Sequence, residues 1–194
     1  MKVSEAIENY VYHITAVEQK SNNTIISYKN DLRIYSLFLA EEGIEDIEEV
    51  VNEDLQQFLA VQLDVRSKSS CAHMLTTLRS FHHYLFLSFN INDPTSGLAV
   101  KVNRDHLPSF LSDDEIKLVF DSFDDSDDYQ YFQRCLLQLM YASGMRVSEI
   151  CDLQAKYVNF SHKLLRIIGK GNKERLVLID NDTSERLDRK STRL

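Results

Sequence analysis

Apolar residues recur every three to four positions through the first 90 residues and every second position near residue 160. This change of period dictates a run of helices followed by a small sheet. Val3, Ile7, Tyr10, Val11, Ile14 and Val17 share one helical face, and Ile25, Tyr28, Leu32, Tyr35 and Leu39 share a second. Ser21-Asn22-Asn23-Thr24 supplies cap chemistry before that second helix, and Gly43 is placed to stop it. Leu55, Phe58, Leu59 and Gln62 fit a short third helix after Asn52. A long fourth begins near Ser67 to Ser70, carries Met74, Leu75, Leu78, Phe81, Leu85 and Phe89, and is expected to end at Asn92-Asp93-Pro94. Residues 1–94 thus read as a four-helix domain.

The stretch 95–108 has weak periodicity and holds Gly97, Lys101, Arg104 and Pro108, so it reads as an interdomain linker. Ser112-Asp113-Asp114-Glu115 matches a capping box and opens a helix through Ile116, Val119, Phe120 and Phe123. Tyr131 to Ala142 is an apolar helix stopped at Gly144, and Val147 to Leu153 begins another. The runs 157–160, 164–168 and 175–179 then predict a three-stranded meander. The fold class expected is mainly α with a small antiparallel β-meander, with a second domain over 109–181. From 182 to 194 no apolar face is evident, and a frayed tail or cloning scar is expected.

With 43% hydrophobic and 27% charged residues but only 5 Gly and 2 Pro, disorder and Gly/Pro-rich β architectures are excluded as defaults. The N-terminal MKVSEAIENY is charged where a signal peptide is apolar, and no run approaches 18 apolar residues, so a cytoplasmic protein without membrane contact is expected. The odd set Cys71, Cys135 and Cys151 lacks a CxxC, which argues against a disulfide framework or a cysteine zinc site. His73, His82 and His83 show no metal-ligand spacing, and neither a metal nor a cofactor is expected, with His82 and His83 at the helix surface or core edge. The net charge of −8 argues against a nucleic-acid partner for a uniform chain, but the acid is concentrated at 41–54 and 121–128, leaving other faces free to be basic.

Two constellations could carry chemistry. Gly144-Met145-Arg146-Val147-Ser148-Glu149 delivers an arginine to the mouth of a helix, where free N–H groups and a planar guanidinium could cradle a phosphate, with Glu149 orienting Arg146. The same i, i+3 spacing also fits an ordinary surface ion pair. Gly169-Lys170-Gly171-Asn172-Lys173-Glu174-Arg175 is a glycine-framed hairpin tip with three cations, able to enter a groove or offer a proton, though a solvated turn has the same composition.

Together and in this order, Tyr141-Ala-Ser-Gly-Met-Arg146-Val-Ser-Glu149-Ile-Cys-Asp-Leu153 and Ile167-Ile-Gly-Lys170-Gly-Asn-Lys-Glu-Arg175-Leu resemble the first arginine box and lysine hairpin of the tyrosine recombinases, in their XerC/XerD-type, phage-integrase-like branch. Thr24-Ile-Ile-Ser-Tyr28-Lys-Asn-Asp31-Leu32, Arg79-Ser-Phe81-His-His-Tyr84-Leu85, Asn92-Asp-Pro94, and Leu107-Pro108 with Leu111-Ser112 extend the likeness to about residues 3–180. The resemblance implies a helical, SAM-like core-binding domain and the first part of an α+β catalytic domain, clamped around duplex DNA. It implies cleavage through a 3′-phosphotyrosyl link and further recombinase subunits, a tetramer on two DNA sites in the family. It makes Arg146 the ligand of the non-bridging phosphate oxygens, Lys170 the general acid for the leaving 5′-oxygen and Glu149 an orienter.

Lys20, Thr24, Lys29, Lys68, Ser69 and Arg79 are short-listed as DNA contacts of the helical domain because they lie at helix starts or on the polar face of the fourth helix, and Lys173 and Arg175 as those of the hairpin. The family's second histidine-arginine box and its tyrosine nucleophile follow the lysine hairpin, whereas all nine tyrosines here precede Lys170. The chain therefore reads as the front part of a recombinase, and no covalent adduct with DNA is expected of it alone. A non-catalytic DNA-binding protein and a helical protein-interaction module are the other readings.

Overall fold

The computed structural model describes residues 1–102, 109–169 and 173–191. Its contacts divide the chain into two compact units, Met1–Leu107 and Pro108–Leu194. The elements are mainly helical with one small antiparallel sheet, the class that the change of period predicts.

The first unit holds α1 (Val3–Tyr12, extended by one π turn over His13–Val17), α2 (Asn22–Glu41), α3 (Asn52–Val65) and α4 (Lys68–Phe89). Ser21 caps α2 by accepting the Thr24 N–H at 3.3 Å, and Ser67 caps α4 by accepting that of Ser70 at 3.1 Å. Helix α4 ends sooner than the proline suggests, because Asn90 adopts a left-handed conformation (φ 56°) and breaks it. The core is built from Tyr10, Ile14, Leu32, Tyr35, Leu39, Leu55, Phe58, Leu75, Leu78, Phe81 and Leu85. Three polar rungs join α2 to α4: at the exposed end Ser27 Oγ to His73 Nε2 at 3.1 Å, and buried within the core Thr77 Oγ1 donating to Asp31 at 2.7 Å and Tyr35 Oη to His82 Nε2 at 3.1 Å. Both sequences rise together along these rungs, so α2 and α4 run parallel and start at the same end. His82 is fully buried at the third rung, not at the surface or core edge where its polarity suggested, while His83 is exposed.

The segment read as a linker from residue 95 belongs in its first half to this unit. Thr95 and Leu98 are buried, Asn52 Nδ2 donates to the carbonyls of Pro94 (2.7 Å) and Ser96 (3.0 Å), and Arg79 donates to the Leu98 carbonyl. Periodicity missed this because the segment packs as a loop whose backbone, not a repeating face, is held.

The second unit holds α5 (Asp113–Asp121), α6 (Asp128–Ser143), α7 (Val147–Cys151), the antiparallel strands β1 (Val158–Asn159), β2 (Leu164–Ile168) and β3 (Glu174–Leu178) in that spatial order, and α8 (Asn181–Ser191). Ser112 and Glu115 form the expected capping box of α5. Leu139, Met145, Leu165, Ile167 and Ile179 make the core between helices and sheet. Gly144 ends α6 at φ 59°, so Gly144→Ala is expected to cost about 1–2 kcal/mol, read as a lower urea midpoint of the second unit.

Residues 182–191, read as part of a frayed tail, form α8 instead. Asp180 caps it through the Thr183 N–H (2.8 Å). The helix then docks on α6 and the turn before it by polar contacts: the Tyr131 hydroxyl donates to the Arg186 carbonyl (3.2 Å), Gln138 Nε2 to Asp182 (2.5 Å), and Arg186 pairs with Asp125 of that turn (2.8 Å). Arg186 and Arg189 also lie over the Tyr131 ring, at 5.8 and 5.2 Å from its centroid. A helix held this way shows no apolar stripe to a sequence reading.

Candidate phosphate-binding site

Glu149 is the hub of the second unit's polar site. Its side chain is only 6% exposed, yet four donors converge on it. The Arg146 backbone N–H (2.9 Å) and Nη2 of Arg175 (2.7 Å) reach Oε2, while Nη1 of Arg146 (3.0 Å) and Nη1 of Arg175 (2.9 Å) reach Oε1. Local sequence explains the placement. Gly144 turns the chain out of α6, Arg146 sits at the cap of α7, and Glu149 lies one turn on, facing back.

The hydrogen bonds of Arg175, with those of Arg146, hold the Glu149 carboxyl down at about 2 against an ordinary 4.5. A carboxyl lowered in the folded state stabilises above its unfolded pKa and is lost as acid protonates it. The cluster is therefore intact at neutral pH and dissolves only as pH falls from 4.5 toward 2.

Arg146 itself is 75% exposed at its side chain and spends one N–H on Glu149, leaving the rest of its fork for a ligand. The helix mouth contributes less than the sequence suggests, because α7 is five residues long and the Arg146 N–H is consumed by Glu149. Arg175, short-listed as a DNA contact, is committed to Glu149 through both terminal nitrogens. Gly169 lies where a Cβ would meet Glu149 Oε1 at 3.3 Å and Arg175 Nη1 at 3.5 Å, and its N–H donates to the Lys173 carbonyl at 2.7 Å. Lys173 is exposed, and Lys170 lies outside the described residues. Tyr141 is 57% exposed with its hydroxyl 3.5 Å from Asp113, whereas Tyr157 is flanked by Lys156 and Arg166 at 4.9 and 5.6 Å from its ring.

In the first unit the parallel starts of α2 and α4 bring Thr24, Lys68 and Ser69 to one end. Thr24 shares a hydroxyl contact with Ser21 (2.8 Å), and Lys20 pairs with Glu18 (2.5 Å). Asp31, Arg66, Ser69, Ser70, His73 and Met74 line a polar hollow there. Sequence reasoning missed Arg66, Ser70 and His73. The run Arg66-Ser-Lys-Ser-Ser70 at a helix start was the available signal. Lys29 lies apart, in the groove between α1 and α2 with Ile7 and Arg33, and Arg79 is tied to Leu98.

The phage integrase family profile matches residues 109–193, and the profile of the phage integrase N-terminal SAM-like domain matches 7–87. The chain belongs to the phage integrase family, the tyrosine recombinases. Within it the chain is XerC/XerD-like: it is 34% identical over 185 residues to tyrosine recombinase XerD of Haemophilus ducreyi, covering 94% of this chain and 62% of that protein. It is also 34% identical over 183 residues to XerD of Staphylococcus epidermidis, covering 93% and 62%. The chain thus spans 62% of the length of these curated relatives.

The fold is shared with a lambda integrase tetramer bound to a Holliday junction (TM-score 0.75, 16% identity, 97% of this chain and 56% of that one). It is shared also with the XerH site-specific recombinase bound to a palindromic difH substrate (TM-score 0.70, 18% identity, 98% and 57%).

Proposed function

We propose that the chain is the DNA-gripping part of a tyrosine recombinase that cuts and rejoins duplex DNA at specific sites through a phosphotyrosine intermediate, working with further recombinase subunits in the cytoplasm. The observation that carries this reading is Arg146, an exposed guanidinium held at one nitrogen by a buried carboxylate, with the rest of its planar fork free for phosphate oxygens. In that role it stabilises charge that builds on the non-bridging oxygens, and Lys170 supplies the proton to the leaving 5′-oxygen, a role that rests on the family resemblance. The first unit grips phosphates through Thr24, Lys68 and Ser69 at the paired helix starts, joined by Arg66 and His73. No described helix is long and apolar enough to cross a membrane.

An amide-shift map of the 194-residue chain titrated with duplex DNA tests the reading. Shifts are expected at 20–24, 66–73 and 144–149. A map confined to the groove between α1 and α2 around Lys29, or no shifts at low salt, contradicts it.

A further inference from the structure

We infer that Arg175 is a positioning residue that touches no DNA and keeps the charge and free N–H groups of Arg146 available to phosphate by neutralising the carboxylate both arginines share. The inference rests on the DNA-binding reading above and deepens it.

Charge and geometry carry it. Glu149 brings one negative charge, Arg146 and Arg175 two positive ones, so the cluster keeps a single positive charge. That charge sits on the exposed partner: Arg146 is 75% exposed at its side chain, Arg175 38% and Glu149 6%. Arg175 meets the carboxylate as a fork, with Nη1 on Oε1 (2.9 Å) and Nη2 on Oε2 (2.7 Å), and so occupies the two-oxygen face that bidentate pairing requires. Arg146 is left with one side-chain bond to Oε1.

Without Arg175, Glu149 and Arg146 would form a neutral pair, and the carboxylate would turn its fork on the guanidinium meant for phosphate. The same contact ties β3 to α7. Gly169, the residue before Lys170, approaches it closely enough that a Cβ would stand 3.3 Å from Glu149 Oε1. Arg175 therefore fixes the root of the turn as well as the charge balance beside Arg146.

The test is duplex binding by the full chain and four variants at 0.1 M salt, alongside titration of the Glu149 side-chain carboxyl without DNA. R146A is expected to weaken binding about eightfold, the counterion-release value of one phosphate contact at that salt. R175Q is expected to weaken it about as much, and R146A/R175Q no more than R146A alone.

The decisive variant is E149Q/R175Q. Removing the carboxylate's charge as well leaves the charge of Arg146 unopposed, so binding is expected to recover to within about twofold of wild type. If the double variant binds no better than R175Q, Arg175 contacts phosphate itself or serves only folding, and the inference is overturned. If R175Q binds as wild type does, it is overturned too. Should wild type not bind DNA at all, the functional reading fails and the titration decides the inference alone: R175Q must move the Glu149 carboxyl upward toward 4.5, and an unmoved carboxyl overturns it.

Discussion

Truncating Phe58 to alanine is expected to destabilise the first unit by about 3–5 kcal/mol, a large share of the roughly 5–15 kcal/mol that holds a domain of ordinary size. Phe58 is fully buried, and its ring stands edge-on to Tyr35 at 5.2 Å and tilted against Phe38 at 5.3 Å. Its loss therefore removes both transfer energy and the aromatic contacts that join α3 to α2. Leu87→Ala, at a site 69% exposed on α4, is expected to move stability by less than about 0.5 kcal/mol. Urea denaturation followed by circular dichroism measures both. Equal midpoints for the two variants would mean that the first unit's core does not run through Phe58.

The second large effect is on pH. Burial holds the His82 imidazole down at about 4 against an ordinary 6.5, with Asp93 opposing weakly. The folded unit keeps His82 neutral while the unfolded chain takes up a proton below 6.5. Stability from this group is thus fully present above 6.5 and drains away as pH falls toward 4. At 1.36 kcal/mol per pH unit, the loss amounts to about 3 kcal/mol between pH 7 and 4. The Glu149 effect lies lower, from 4.5 toward 2, and belongs to the other unit, so the two are separable. His82→Gln should flatten the dependence of the denaturation midpoint on pH between 6.5 and 4.5. Parallel curves for His82→Gln and wild type would assign the proton uptake elsewhere.

The helices were legible in the sequence wherever a face repeated. Tyr10, Ile14, Leu32, Tyr35, Phe58, Leu78 and Phe81 were all on predicted faces, and all are in the core. What escaped was structure held by backbone or by charge: Thr95 to Leu98, fixed by Asn52 and Arg79, and α8, fixed by Asp182, Arg186 and the Tyr131 ring. The site was half legible. The spacing of Arg146 and Glu149 gave the pair, because residues three apart on a helix face each other. The bond between Glu149 and Arg175 was not visible, since 26 positions separate them and only the return of β3 along β2 brings them together. Arg175 looked like one more cation of a hairpin tip, although its place in β3 opposite Ile167 puts it in the paired strands, two pairs in from the turn.

As a phosphate ligand on a chain that grips the backbone of DNA, Arg146 contributes one of the charges that make binding depend on salt. The most direct test is the anisotropy of a labelled 30-base-pair duplex titrated with the full chain and with R146A between 50 and 200 mM salt. The wild type is expected to lose about a hundredfold in affinity across that range, as about four phosphate contacts would give. For R146A the expected slope is smaller by about 1 in log affinity against log salt, with urea stability unchanged. A wild-type affinity flat with salt, or an R146A slope equal to the wild type's, would contradict that role.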